Sequence, residues 1–226
     1  MHEYFNLYNR HGLQNGYSDE NGYSYIEAFA PIKEVVKLTE AQKELIHAKW
    51  TALEKIINNG KTTDIDLTTM QKLTDNEASY ENGLMILHRK EGWSIRMVTQ
   101  EQFTCPVKIE VRAKICDQFL DVGYAGEYIS LNWCGNSLAT GNATYGEDNV
   151  YRKGGQVPVN EFIDIEWVLG RECMAIKVNG ELRYSGIDHA YIKAFDNPGH
   201  NLSGAVTVGT EFDSTLTVES LRVTEL

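Results

Sequence analysis

Basic side chains are scarce. The chain carries 21 Lys and Arg against 32 Asp and Glu, a formal charge of -11 and a sequence pI of about 5.0, so a phosphate backbone meets net repulsion unless a dense basic patch overrides it. The densest run, His88-Arg89-Lys90, is followed at once by Glu91, which argues against nucleic acid as a partner. Long apolar runs are missing too: no segment approaches the roughly 18 uninterrupted apolar residues of a membrane span. The opening MHEYFNLYNRHG is polar and has no basic region followed by an apolar stretch. The reading is a soluble, cytoplasmic chain without a membrane partner.

Other absences remove particular chemistries. Cys105, Cys116, Cys134 and Cys173 lie far apart, with no Cys-x-x-Cys pair and no neighbouring His to complete a zinc site. They are expected to be free thiols, with Cys116 and Cys134 among the core residues. The histidines form no close set, and His189 and His200, near Asp188 and Asp196, read as solvated polar residues. There is no Gly-x-Ser-x-Gly elbow, so an acyl-transfer triad has no support. No spaced ladder of acidic ligands occurs; calcium among Glu147, Asp148 and backbone carbonyls is the one candidate ion, and no other cofactor is implied.

What is present is a globular composition. With 226 residues, 42% of them hydrophobic, the chain can bury one sizeable core and a smaller attached element. Two Asn-Gly phrases, NGYSDE and NGYSYIE, lie in the Tyr- and Asn-rich first thirty residues and read as turns in series. Thr39 with Glu40, Ala41 and Gln42 makes a capping box, with Leu38 as its staple. Leu45, Ile46, Lys49, Trp50, Leu53, Ile56 and Ile57 then recur at three and four, predicting an amphipathic helix over about 40–58. Asn58, Asn59 and Gly60 stop it, with Gly60 suited to a left-handed terminus.

Residues 61–80 read as a Thr- and Asp-rich connection with one helical turn near Thr69 to Leu73. From about residue 80 the period changes to two. GLMILH and GWSIRMVT flank RKE as a hairpin; CPVKIEVRAKI, YISLNW, FIDIEWVLG, CMAIKVNGELRY, AVTVGT and STLTVESLRVTEL read as further strands, and Asn179-Gly180 as a tight turn. Strands joined by short turns with no helices between them predict a mainly β fold, a two-layer antiparallel sandwich with one long N-terminal helix packed against it. The division is an N-terminal extension over 1–79 and a β-sandwich domain over 80–226. Open edge strands leave a homodimer as a candidate assembly.

Alternation sets out a polar face. Val107, Ile109, Val111 and Ala113, with Ile163, Ile165, Trp167 and Leu169, face the core. Lys108, Glu110, Arg112, Tyr128, Ser130, Asn132, Asp164, Glu166 and Lys177 are then assigned to one continuous polar sheet face. Asp164 and Glu166, two apart on one strand, lie close enough for a glycosidase pair, though their predicted cationic neighbours keep both charged. The plainest account is a solvated strand face with cross-strand ion pairs. Beside it, WCGNSLATGNATYGEDNVYRKGG reads as a long loop bracketed by exposed Tyr124, Tyr128, Tyr145 and Tyr151, whose rings suit sugar stacking.

The hairpin WVLGRECMAIKVNGELRYSG and the closing GAVTVGTEFDSTLTVESLRVTEL resemble concanavalin A-like lectins and glucanases, including laminin G-like domains. The resemblance covers about residues 80–226 and implies a jelly-roll that hosts lectins, hydrolases and structural modules alike. In the laminarinase-like branch the catalytic groups run Glu, Asp, Glu on alternate positions of one strand. Here Asp164 and Glu166 match the last two, but Phe162 stands at the first, which argues against that mechanism. NGYSDENGYSYIEAFAPI and FIDIEW are also similar to a sensory region attached to some bacterial AraC-type regulators, although no second helix-turn-helix segment follows. The expected function is a non-catalytic module that binds or senses a carbohydrate or small polar ligand, through Asp164, Glu166, Lys177, Arg112, Tyr128, Asn132, Tyr145 and Tyr151. The alternatives are a structural or protein-partner-binding domain, and a glycoside hydrolase using Asp164 and Glu166.

Overall fold

A computed structural model of the chain describes residues 39–90, 92–133, 137–142, 147–151, 154–171, 173–186 and 203–226. The single long helix among them, α1 (Glu40–Ile57), starts where Lys43 N–H donates to the Thr39 carbonyl at 3.0 Å. It ends through Asn59 and Gly60 N–H groups on the carbonyls of Ile56 and Ile57. Gly60 does not take the expected left-handed conformation. A Cβ there would sit 2.2 Å from the Glu225 carbonyl oxygen, so glycine is required by close backbone approach.

All the sheet pairing is antiparallel, in two large sheets whose strands are numbered along the chain. Sheet A runs β14 (Glu181–Gly186), β13 (Met174–Val178), β12 (Ile163–Leu169), β7 (Val107–Ile115), β17 (Thr215–Glu225), β4 (Leu84–His88) and β3 (Ser79–Glu81), with β1 (Lys61–Asp64) also paired to β17. Sheet B runs β11 (Glu147–Tyr151), β10 (Ser137–Asn142), β9 (Glu127–Trp133), β8 (Leu120–Tyr124), β16 (Val206–Glu211), β5 (Ser94–Val98) and β2 (Gln71–Lys72). A short pair, β6 (Phe103–Thr104) and β15 (Ser203–Gly204), stands apart.

The inward faces share one core. Ile109, Val111, Ile165, Trp167 and Ile176 from sheet A meet Leu120, Val122, Ile129, Leu131 and Val208 from sheet B, all essentially buried. Each such side chain contributes roughly 1.5 to 3 kcal/mol on leaving water. The period-two assignment of these residues holds, as does the Asn179-Gly180 turn, with φ of 50° and 76°.

Several local readings are corrected. The stretch 61–80 is not a plain connection: β1 and β2 pair with β17 and β5, so sheet pairing begins at Lys61. Its helical turn is a 3-10 turn at Leu67–Thr69, capped by the Asp66 carboxylate, which accepts from Thr68 N–H at 3.0 Å. GLMILH and GWSIRMVT do not form a hairpin, because β4 belongs to sheet A and β5 to sheet B. Asn76 accepts from Lys90 N–H at 2.8 Å and donates to the Ser94 carbonyl at 3.0 Å, holding the crossing between them. Both strands alternate, and alternation specifies a buried face without naming the neighbour. Cys116 is exposed rather than in the core, since it follows the last residue of β7; its thiol accepts from Thr215 N–H at 3.0 Å. Cys105 and Cys173 are buried, and Cys134 lies outside the described residues.

On the outer face of sheet A the apolar residues gather in one place. Ile46 and Trp50 of α1 are buried in a cluster with Cys173 and Ala175, and Leu53 lies against it. Lys177 Nζ donates to the Glu54 carboxylate at 2.5 Å and stands 5.3 Å from the Trp50 ring centre.

Candidate functional site

The residues expected to form one polar face are divided between the two sheets. β7 pairs with β12, placing Arg112 opposite Asp164 and Glu110 opposite Glu166 on sheet A. β9 pairs with β8 and β10, placing Tyr128, Ser130 and Asn132 on sheet B. Since both sheets turn their apolar parity to the shared core, these two groups lie on opposite outer faces of the sandwich. The expected parity holds, and so does the neighbourhood of β7, β12 and β13; only β9, with Tyr128, Ser130 and Asn132, belongs to the other sheet.

On sheet A the charged residues satisfy one another. Arg112 Nη1 donates to both Asp164 oxygens at 3.0 and 3.1 Å, and its Nε to Glu219. Those hydrogen bonds, Asp164 before Glu219, raise the Arg112 guanidinium further above its ordinary value. Arg222 donates to Glu110 at 3.0 Å. Phe162 lies under the cations of Arg112 and Lys114, with 5.5 and 5.1 Å to its ring centre. The Asp164 side chain is 60% exposed, so this is a wet strand face bearing ion pairs of modest worth. Lys177 is tied to α1 through Glu54.

The aromatic loop does not hold together either. Tyr124 is fully buried, with its hydroxyl donating to the Phe103 carbonyl at 2.8 Å. Much of the supposed loop is strand: β10 and β11 pair in register from Leu138–Tyr151 to Asn142–Glu147. Gly and Asn are weak strand formers, which hid it. Tyr145 lies outside the described residues, and of Tyr151, Glu147 and Asp148 only the backbone is described. Asn132, buried at φ 51°, accepts from Val157 N–H at 2.8 Å and donates to the carbonyls of Val157 and Asp117 at 3.0 and 3.2 Å. Its amide braces the backbone.

A second charged constellation, missed in the sequence, occupies the outer face of sheet B. Pairing aligns Arg96 of β5 with Gly209 of β16, Asp121 of β8, Ser130 of β9 and Ala139 of β10 in one row across the sheet. A Cβ on Gly209 would come within 2.5 Å of Arg96 Cγ. Glycine thus lets the arginine lie flat across β16 and reach two strands over. Arg96 Nη2 donates to Asp121 at 3.1 Å and to Glu211 at 2.6 Å.

Burial makes this cluster unlike the other. Asp121 is only 5% exposed. Burial pushes its carboxyl above the ordinary range, opposed by the charge of Arg96 and the Ser130 hydroxyl. Burial pulls the Arg96 guanidinium down, but the charges of Asp121 and Glu211, with Tyr128 adding to them, leave it above its ordinary value. Arg96 is therefore the fixed cation, and burial makes the Asp121 carboxyl easier to protonate than an ordinary aspartate. Ser94, Val98, Thr207 and Tyr128 are half-buried around it.

Just beyond the ends of β5 and β16 lies an aromatic group. Ser94 pairs with Glu211, and next to them Phe212 N–H donates to the Trp93 carbonyl at 2.9 Å. Trp93 meets Phe212 edge to face at 5.9 Å between ring centres, and Phe212 lies 4.9 Å from Phe119. Phe119 and Phe212 have φ of 62° and 54°, a conformation that costs a bulky residue of order 1 to 3 kcal/mol. In sequence, the one signal for the cluster was a lone charge in each of two apolar strands, Arg96 in SIRMV and Asp121 in LDVGY.

No family model matches the chain, and no curated protein matches it significantly. Solved structures do. The carbohydrate-binding module CBM66 from Bacillus subtilis is similar over 70% of this chain and 96% of its own, at 8% identity and a TM-score of 0.54. The Crh5 transglycosylase is similar over 75% and 90%, at 12% identity and a TM-score of 0.54. The fold is a concanavalin A-like jelly-roll. β-Agarase B from Zobellia galactanivorans is similar as well, over 70% of this chain and 85% of its own, at 13% identity and a TM-score of 0.52. At such identities the likeness extends to the jelly-roll and not to its site residues. Among the described residues no helix is long and apolar enough to cross a membrane, and no group of three or more His, Cys, Asp or Glu is arranged to hold a metal ion.

Proposed function

We propose that the protein binds a carbohydrate on the outer face of sheet B, with Arg96, Glu211 and Tyr128 as the contacting groups and Asp121 behind them. The observation that carries this reading is the row in which Arg96 lies across Gly209 between two carboxylates. It places a preorganised donor and an acceptor on a rigid sheet, which is what vicinal hydroxyls require. The similar structures, a carbohydrate-binding module among them, support carbohydrate as the ligand class. The role is binding or sensing rather than turnover, because the guanidinium fills the space between the two carboxylates where a reacting sugar carbon would have to sit.

A hydrolase is the second reading, and a specific feature favours keeping it. Asp121 and Glu211 oxygens share one nitrogen of Arg96, at 3.1 and 2.6 Å, so they lie at most about 5.7 Å apart, near the spacing of about 5 to 5.5 Å in a retaining pair. Asp121 also has the raised pKa of an acid.

The contacts of Trp50, Leu53 and Glu54 support α1 as a fixed cover on sheet A, which leaves sheet B as the recognition surface. Calorimetry on hits from a glycan array tests the proposal. Glu211→Gln and Tyr128→Phe are expected to lower affinity, while Asp164→Asn leaves it unchanged. Release of reducing ends by the wild-type chain, lost in Glu211→Gln, would establish the hydrolase instead. A partner-binding domain would give silence across the array.

A further inference from the structure

Two neighbouring rows on the outer face of sheet B are built alike. In the first, Arg96 of β5 leans over Gly209 of β16 to reach Asp121 of β8. In the second, one strand further on, Thr207 of β16 pairs with Gly123 of β8, which in turn pairs with Tyr128 of β9. A Cβ on Gly123 would come within 2.2 Å of Thr207 Oγ1, so the hydroxyl lies over the bare strand as Arg96 Cγ does in the first row. Val122 and Tyr124 point into the core, so the open side of Gly123, and the hydroxyl that occupies it, belong to the outer face. Glycine weakens a strand interior and suits a place where another group approaches the backbone closely.

The rows differ in how they end. Arg96 finds a carboxylate on the strand it reaches. The Thr207 hydroxyl has no hydrogen-bond partner among the described residues, although the residue is half-buried. Its β-branched side chain has few rotamers, so the hydroxyl is already held in one place. Thr207 stands two residues from Gly209 on β16, about 7 Å along the strand, and shares its face with Glu211. The three groups are chemically distinct: a guanidinium only donates, a carboxylate only accepts, and a hydroxyl does both.

Resting on the carbohydrate reading above, we infer that Thr207 is a further specificity-determining residue of the sheet B site, whose hydroxyl, with Tyr128 next in its row, reads a neutral sugar hydroxyl beside the part held by Arg96 and Glu211. The site then has a charged end and an uncharged end. A sugar hydroxyl can both accept from and donate to Thr207, whereas a sugar lacking it leaves Thr207 unpaired in a half-buried place. A sugar carboxylate meets repulsion there, since the site holds two carboxylates to one guanidinium on a chain with a formal charge of -11.

The test is calorimetry on the full chain with β-linked glucose, galactose and mannose oligomers of two to six units, then with monodeoxy derivatives of the tightest binder. Thr207→Val keeps the shape and removes the hydroxyl, and is expected to weaken binding about three- to tenfold with the urea midpoint unmoved. Thr207→Ser keeps a hydroxyl and should retain most of the affinity. One monodeoxy derivative should bind the wild type about three- to tenfold more weakly than its parent, yet bind Thr207→Val as well as the parent does. A merely structural role would instead lower the affinity of Thr207→Val for every derivative alike. If Thr207→Val binds the parent as tightly as the wild type, or if no derivative loses its penalty in the variant, the inference is overturned and the carbohydrate reading stands. If none of the oligomers binds the wild type, the two fall together. Should Thr207→Val fail to fold, Thr207→Ala with the same derivatives decides.

Discussion

The two outer faces of the sandwich carry charge in opposite ways. On sheet A, Arg112 sits between Asp164 and Glu219, three charged side chains that all reach water. On sheet B, Arg96 sits between Asp121 and Glu211, both carboxylates mostly removed from it. The motif is the same, one guanidinium and two carboxylates, and the surroundings decide its worth. Water screens the first, so breaking it exposes nothing that was not already solvated. The second cannot lose its cation without stranding buried anions.

The comparison breaks most sharply at the two arginines. Arg96→Ala is expected to cost about 3 kcal/mol, the low end of the range for breaking a buried pair, because a third of its side chain meets water. Arg112→Ala should move the urea midpoint far less; equal shifts would dissolve the distinction between the faces. A smaller loss, about 1 to 3 kcal/mol, is expected for Gly209→Ala, whose methyl meets Arg96 Cγ and the Ile95 carbonyl. Proteolysis or denaturant midpoints measure it, and an unperturbed variant would mean that Arg96 does not need the bare strand.

Asp121 sharpens the comparison through pH. Its folded pKa is raised, chiefly by burial, so its favourable contribution is present in acid and is lost as pH climbs from the ordinary aspartate range through the raised value. Urea denaturation from about pH 4 upward should show the wild type losing ground to Asp121→Asn, and parallel profiles would contradict the direction. The smallest effect belongs to Asp164→Asn combined with Glu166→Gln. It is expected to leave the midpoint and glycan affinity within experimental scatter, and a clear loss of affinity would return the site to sheet A.

The contrast also explains what could be read from the sequence. Alternation is a property of one strand, so the inward sets Val107 to Ala113 and Ile163 to Leu169 were legible; the stripe of α1 was legible in part, since Ile46, Trp50 and Ile57 are buried while Leu45 and Ile56 are exposed. Which strands lie side by side depends on pairings between residues far apart, such as Leu221 with Val111. Asp164 and Tyr128 therefore came to be assigned to one face. The site was obscured for the same reason. Arg96, Gly209 and Asp121 come from three strands, each with one polar or bare position in an apolar run, and nothing local marks them as neighbours.

The placement of β17 has a consequence for how the protein is made. It lies between β7 and β4 and also pairs with β1, so that Lys61 meets Glu225 and Thr104 N–H finds the Glu225 carboxylate at 2.8 Å. Every other strand of sheet A is translated before it. During synthesis β7 and β4 therefore present open edges to solvent or to chaperones, and the sheet closes only when β17 has cleared the ribosome. Such late, sequence-distant closure slows folding and prolongs the interval in which nascent chains can pair with one another.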